Sequence, residues 1–225
     1  MSDLNNKTLA VIHAALISTK SVEPFIKEII PEVKVVHHVD DSIQNLNFIQ
    51  EPGFIPKENL FKFTTYAHFL QQTKVDLILL ACSTFNIAVE VARPMIEVPM
   101  LQIDRPMMDL AVKQGKRIGL LGTVPSTMIP SENLLKKAAF EAGKEIDVKS
   151  VLCSRAFNEI LAGNIQNHNA ILIDEISSLC KSVDAIVLAQ VSMSALEPLL
   201  GGFSIPVYNS GRTGFNRVRQ LLENE

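Results

Sequence analysis

The chain has 225 residues, a net charge of −3 and no basic cluster, so it carries no electrostatic footprint for nucleic acid or for an anionic membrane. Its 47% hydrophobic and 20% charged residues are those of a globular chain that can bury a core, not of a disordered one. The start, Met1 to Asn6, is polar, apolar runs such as residues 75–82 stop far short of a membrane span, and cysteines at 82, 153 and 180 build no disulfide framework, which points to a reducing cytoplasm.

Short Val-, Ile- and Leu-rich runs alternate with segments of helical period, the pattern of a parallel sheet covered on both faces. In the first half strands are expected at residues 9–14, 33–38, 76–81 and 100–103. A helix over 21–30 opens on Ser21 with Glu23 and Pro24 close behind and stops before Pro31; two more cover 61–72 and 85–92. Residues 45–59, with Pro52, Gly53 and Pro56, read as a long loop of the kind that serves as a lid or binding loop. The second half predicts strands at 117–122, 147–152, 185–189 and 206–208, and helices at 131–142, 156–162, 170–181 and 213–222. Gly143 sits where a C-terminal glycine cap belongs.

The two halves read as copies. Asp76 to Thr84 aligns with Asp184 to Ser192 at an offset of 108 residues (190 minus 82), and the segments at Lys7 and Lys116, and at Val98 and Ile205, keep nearly the same offset. Such a period indicates an internal duplication into two α/β domains of roughly 105 residues each. The domains are residues 1–114 and 115–211, joined near Gly115, with the helix at 212–225 able to fold back onto the first.

In doubly wound sheets ligands bind beyond the carboxyl ends of the strands. Cys82 lies at such a point, after a buried strand and before an expected helix, whose N-terminus would depress its pKa; at the reference value of about 8.5 a thiol is only about 3% thiolate at pH 7. The alternative is that Cys82 is a small buried packing residue. His13 is either a polar site residue or a satisfied strand-end histidine. His37 and His38 point to opposite faces of a strand and lack a further ligand at metal spacing, so no metal is expected. Gly119 and Gly122 form no dinucleotide fingerprint. Cys153 and Cys180 read as packing residues, His168 as part of a solvent loop, and Arg212 either reaches a substrate carboxylate or caps the final helix.

Leu80-Ala81-Cys82-Ser83-Thr84 resembles the Cys-Asn-Thr signature in the first half of the aspartate/glutamate/hydantoin racemase superfamily. Residues 117–123, with Ser126 and Thr127, are similar to its Gly-Thr-rich turn opening the second domain, and Asp184 to Gln190 falls where the superfamily has its second Gly-Cys-Thr motif. The resemblance covers nearly the whole chain by order and spacing. It implies two pseudo-symmetric doubly wound parallel-sheet domains with a cleft between them, a small carboxylate substrate, no pyridoxal phosphate or other cofactor, and a homodimer. It also implies a carbon-acid mechanism in which one cysteine removes a proton and another delivers one to the opposite face.

Here the second motif departs, because Gln190 replaces the thiol and Val191 and Ser192 follow it. Three explanations stand: Ser192 relays a proton, the enzyme runs a one-thiol isomerisation or decarboxylation, or the chain only binds a carboxylate. Cys82 occupies the first-half position, which suits nucleophilic addition rather than the decarboxylase arrangement. Cys82 and Gln190 are therefore the expected catalytic pair, with Ser83, Thr84, Asn86, Thr123, Thr127, Ser192 and His13 around the substrate.

Overall fold

Alternating residues of the buried strands face opposite ways, and each strand here feeds two separate cores. The computed structural model describes residues 4–48, 51 and 53–224. Among them β1 (Thr8–His13), β2 (Lys34–Val39), β3 (Leu77–Leu80) and β4 (Met100–Gln102) form one sheet in the order β2-β1-β3-β4. The second sheet, β5 (Arg117–Gly122), β6 (Asp147–Leu152), β7 (Ala185–Leu188) and β8 (Val207–Tyr208), has the equivalent order β6-β5-β7-β8. Every paired strand is parallel.

Among the described residues nine helices cover these sheets: α1 (Ile17–Ile29), α2 (Ser42–Phe48), α3 (Lys57–Gln71), α4 (Ile87–Ala92), α5 (Arg105–Gln114), α6 (Pro125–Glu141), α7 (Ser154–Leu161), α8 (Ile165–Leu179) and α9 (Ser210–Glu223). Leu9, Val11, Leu77 and Leu79 pack into one core with residues of α1 and α9, while Ala10, Ile12, Ile78 and Leu80 pack into the other with residues of α3 and α4. In the second sheet Ile118, Leu120, Ala185 and Val187 meet α5 and α6, and Leu121, Ile186 and Leu188 meet α8. The fold is thus the expected α/β class with two doubly wound parallel sheets.

Several boundaries move for local reasons. α1 begins a turn before Ser21, whose Oγ donates to Ile17 O at 3.2 Å instead of capping, and Pro24 lies inside the helix. The expected loop over 45–59 is cut by α2 and by the start of α3; residues 49, 50 and 52 lie outside the described residues, as do 1–3 of the polar start and residue 225. Asp40 opens α2 by accepting from Ser42 N at 3.0 Å, a side-chain cap that sequence reading passed over. α5 was not anticipated, although Met107, Met108, Ala111 and Val112 recur at helical spacing and are buried. α6 starts at Pro125, well before Ser131. Its end follows the reading: Gly143 has φ of +64°, Gly143 N donates to Phe140 O at 3.0 Å and Lys144 N to Ala139 O at 2.9 Å, a Schellman closure. His168 stands in α8, not in a loop, and its Nδ1 lies 2.8 Å from Ala156 O.

α9 runs back to the first sheet. Phe215, Val218 and Leu222 join the core beneath α1, and Arg219 Nη1 donates to Ile29 O at 2.6 Å. The halves are also tied by Lys137 to Glu90 at 2.8 Å and by Asn86 Nδ2 donating to Pro130 O at 3.1 Å.

Candidate active site

The carboxyl ends of both sheets converge on one cavity of about 410 Å³. The turn after β3 contributes Cys82, Ser83 and Thr84, and the turn after β7 contributes Gln190, Val191 and Ser192. Ser126 and Thr127 come from the start of α6, and Ala15 to Ser18 from the turn after β1. Asp41 and Gln44, at and within α2, close another side. Among the described residues of this wall Asp41 is the one charged side chain.

Cys82 is 9% exposed, and burial pushes its thiol up to about 12, with the neighbouring Asp104 carboxyl adding to the rise. The backbone N–H groups of Phe85 and Thr84, and the Gln44 amide with Nε2 3.9 Å from Sγ, pull the other way without prevailing. The expected depression by a helix N-terminus therefore does not hold: α4 starts only at Ile87 and has six residues, so what reaches the sulfur is two amides rather than a long dipole. At rest the group is a thiol.

Gln190 is oriented by Thr123. Its Oε1 accepts from Thr123 N at 2.6 Å and from Thr123 Oγ1 at 3.1 Å. A backbone N–H can only donate, so the amide oxygen must face Thr123 and the two Nε2 hydrogens remain for a ligand. Ser83 and Ser126, both in the wall, have buried Oγ atoms without a hydrogen bond of ordinary geometry among the described residues. The cavity thus offers neutral donors, the equipment for holding an anion.

Asp104, at the start of α5, was missed by sequence reading. Its side chain is 1% exposed, both oxygens lack a properly formed hydrogen bond, and burial raises its pKa to about 6 against the moderating hydroxyls of Ser83 and Ser210. An acid one residue beyond the first half's last apolar strand was the available signal.

The Asp/Glu/Hydantoin racemase family profile matches residues 15–218. The chain belongs to that family. A glutamate racemase of Trichodesmium erythraeum is 29% identical over 136 residues, which is 59% of this chain and 49% of the relative; one of Trichormus variabilis is 31% identical over 100 residues, 44% and 33% of the two chains. The chain spans half or less of the length of these relatives. Among solved structures, an aspartate racemase homologue from Pyrococcus horikoshii has a TM-score of 0.73 at 22% identity, covering 96% of this chain and 99% of its own. The glutamate racemase isoform RacE1 from Bacillus anthracis has a TM-score of 0.72 at 17% identity, covering 98% and 83%. An allantoin racemase from Klebsiella pneumoniae has 0.70 at 17%, covering 96% and 88%. These likenesses establish the shared fold.

Within this racemase-family chain the expected residues divide. Cys82, Ser83, Thr84, Thr127, Gln190 and Ser192 line the one cavity. Thr123 stands behind Gln190 and acts on it rather than on the space. Asn86 lies outside: its side-chain nitrogen donates to Pro130, its backbone carbonyl accepts from Gln102 Nε2 at 3.0 Å, and it lines a separate cavity between the halves. His13 is fully buried behind Ser18, held by Ser18 and His37. Arg212 is occupied by Glu28, at 2.7 and 2.9 Å, and by Glu197 at 2.6 Å, so it reaches no substrate; Asn209 caps its helix. Cys153 and Cys180 stand at opposite ends of α7 and α8 and line no part of the main cavity. No helix among the described residues is long and apolar enough to cross a membrane.

Proposed function

We propose that this chain is a pyridoxal-independent enzyme of its family that moves a proton at a carbon beside a carboxylate. Cys82 supplies the acid, or, once deprotonated, the base or nucleophile; Gln190 Nε2, Ser83, Ser126 and Thr127 hold the carboxylate. The observation that carries the reading is that Cys82 and Gln190, from corresponding turns of the two sheets, line a single cavity whose donors are neutral. A bound carboxylate removes water from around the thiol, so chemistry begins with Cys82 as a proton donor rather than with a preformed thiolate.

One-thiol turnover, either addition to a double bond or protonation of a carbanion, is favoured over two-thiol racemisation by the Gln190 amide, which cannot exchange a proton near neutral pH. The test is incubation with amino acids, hydantoins, malonates and maleate in deuterated water, followed by NMR of the proton beside the carboxylate. Exchange or conversion that disappears in Cys82→Ser supports the enzyme. Binding without exchange makes the chain a carboxylate-binding protein instead. Gln190→Cys asks whether a restored thiol brings racemisation.

A further inference from the structure

Ser18, His13 and His37 form a hydrogen-bonded file from the cavity wall to solvent. Ser18, in the first turn of α1, lines the cavity and is 5% exposed. Its Oγ lies 2.6 Å from His13 Nδ1, and His13 Nε2 lies 2.9 Å from His37 Nδ1. His13 is fully buried, whereas His37, on edge strand β2, is exposed. The register explains the meeting: His13 pairs with Val39 and Val11 with His37, so the two rings are diagonal neighbours on one sheet face.

Two proton orders satisfy the file. In the first, Ser18 Oγ donates to Ala15 O at 2.7 Å and accepts from His13 Nδ1–H, His13 Nε2 accepts from His37 Nδ1–H, and Nε2 of the exposed His37 ring is left as an acceptor. Reversing every donor gives a second complete arrangement, with Ser18 O–H donating to His13 Nδ1, His13 Nε2–H to His37 Nδ1 and His37 Nε2–H to water. The two arrangements differ by the passage of one proton between cavity and solvent.

We propose that Ser18, His13 and His37 are the proton conduit that takes the place of the family's second thiol. This rests on the enzymatic reading above. In the outward direction, which starts from the second arrangement and ends in the first, the substrate C–H bond breaks and its electron pair stays on the carbon beside the carboxylate. The proton goes to Ser18 Oγ as the serine's own proton moves to His13 Nδ1, that on His13 Nε2 moves to His37 Nδ1, and His37 Nε2 releases one to water. Cys82 Sγ–H then gives its proton to the carbon, and water returns one to the sulfur after the product leaves, so the protons balance. The inward direction reverses each step. Burial and the adjacent His37 keep His13 uncharged at neutral pH, while His37 also faces Glu23 from α1. A conduit needs both rings neutral and able to exchange tautomers.

Two measurements test it. With any substrate found by deuterium exchange, His37→Ala, at the exposed end, is expected to slow exchange at least tenfold, and millimolar imidazole is expected to restore it. Unchanged exchange, or a loss that imidazole does not repair, overturns the conduit. The second measurement needs no substrate: nitrogen-15 NMR of the imidazoles is expected to show His13 and His37 both neutral above pH 7 with Nδ1–H, and His13 to keep its Nδ1–H, with its Nε2 signal shifting, as His37 titrates. Independent titration of the two rings also overturns it. If the wild type exchanges no carboxylate's proton, the enzymatic reading falls and the NMR result alone decides the file.

Discussion

Gln190 presents its amide nitrogen to the cavity because Thr123 holds its oxygen with two hydrogen bonds, at 2.6 and 3.1 Å. Gln190→Glu keeps the acceptor for Thr123 but replaces the Nε2 donor with a second carboxylate oxygen. A carboxylate ligand would then meet a charge of its own sign where it had a donor. Affinity for whichever carboxylate the exchange screen detects is expected to fall tenfold or more, about 1.4 kcal/mol, by titration calorimetry. An unchanged affinity would mean that the ligand does not touch Gln190.

Asp104 raises the pKa of Cys82, second only to burial among its causes. Asp104→Asn removes that charge at nearly constant shape. The thiol pKa is expected to fall, so iodoacetamide should label Cys82 several-fold faster at pH 8 than in the wild type. Mass spectrometry of the labelled peptide separates Cys82 from Cys153 and Cys180. Slower or equal labelling in the variant would show that the carboxyl is not felt by the sulfur.

The same carboxyl and His13 act oppositely on stability. Asp104 titrates at about 6 in the fold against about 3.9 when unfolded. Between those values the native state holds the extra proton, so stability falls as pH rises through this window. His13 titrates at about 4 in the fold against 6.5, so between those values the unfolded state holds the extra proton and stability rises with pH. Each effect is on the order of 3 kcal/mol at about 1.36 kcal/mol per pKa unit, and over pH 4 to 6 they nearly cancel. The wild-type urea-stability curve also carries the lowered His37 and His38, which act in the same sense as His13, so each variant is compared with that curve. Asp104→Asn should lose stability on acidification, and His13→Gln should gain it. Parallel pH curves for the two variants would contradict the assignment.

Unbroken apolar runs made the interior strands readable, since Leu77 to Leu80 and Ala185 to Leu188 are apolar on both faces, as strands of a covered parallel sheet are. Cys82 and Gln190 were readable as a pair because both directly follow such strands by the same count. What escaped depends on groups that come together only in three dimensions. Asn86 is polar and four residues past Cys82, yet the chain turns it toward Pro130 before α4 begins. Gln44 reaches the thiol from a helix whose start is set by Asp40 and whose end runs into what looked like a proline-rich loop. The pKa of Cys82 could not be read either, since Asp104, 22 residues further on (104 minus 82), lies beside it only once β4 is paired with β3.

α9 closes on the end of β4 through a glycine. A Cβ at Gly214 would sit 2.7 Å from Ile103 Cγ1 and 2.9 Å from the carbonyl oxygen of Ile103. Alanine ordinarily favours a helix interior over glycine by about 1 kcal/mol. Overpacking against an immovable backbone oxygen costs about 1–3 kcal/mol, so the second effect wins and Gly214→Ala is expected to lower the melting temperature by several degrees. Gly202→Ala, where a Cβ meets open space, is the control and should leave it unchanged. Because Ile103 directly precedes Asp104, displacement of the β4 end should also alter Cys82 labelling in Gly214→Ala. A variant that loses stability while labelling as the wild type does would separate the packing of α9 from the electrostatics of the site.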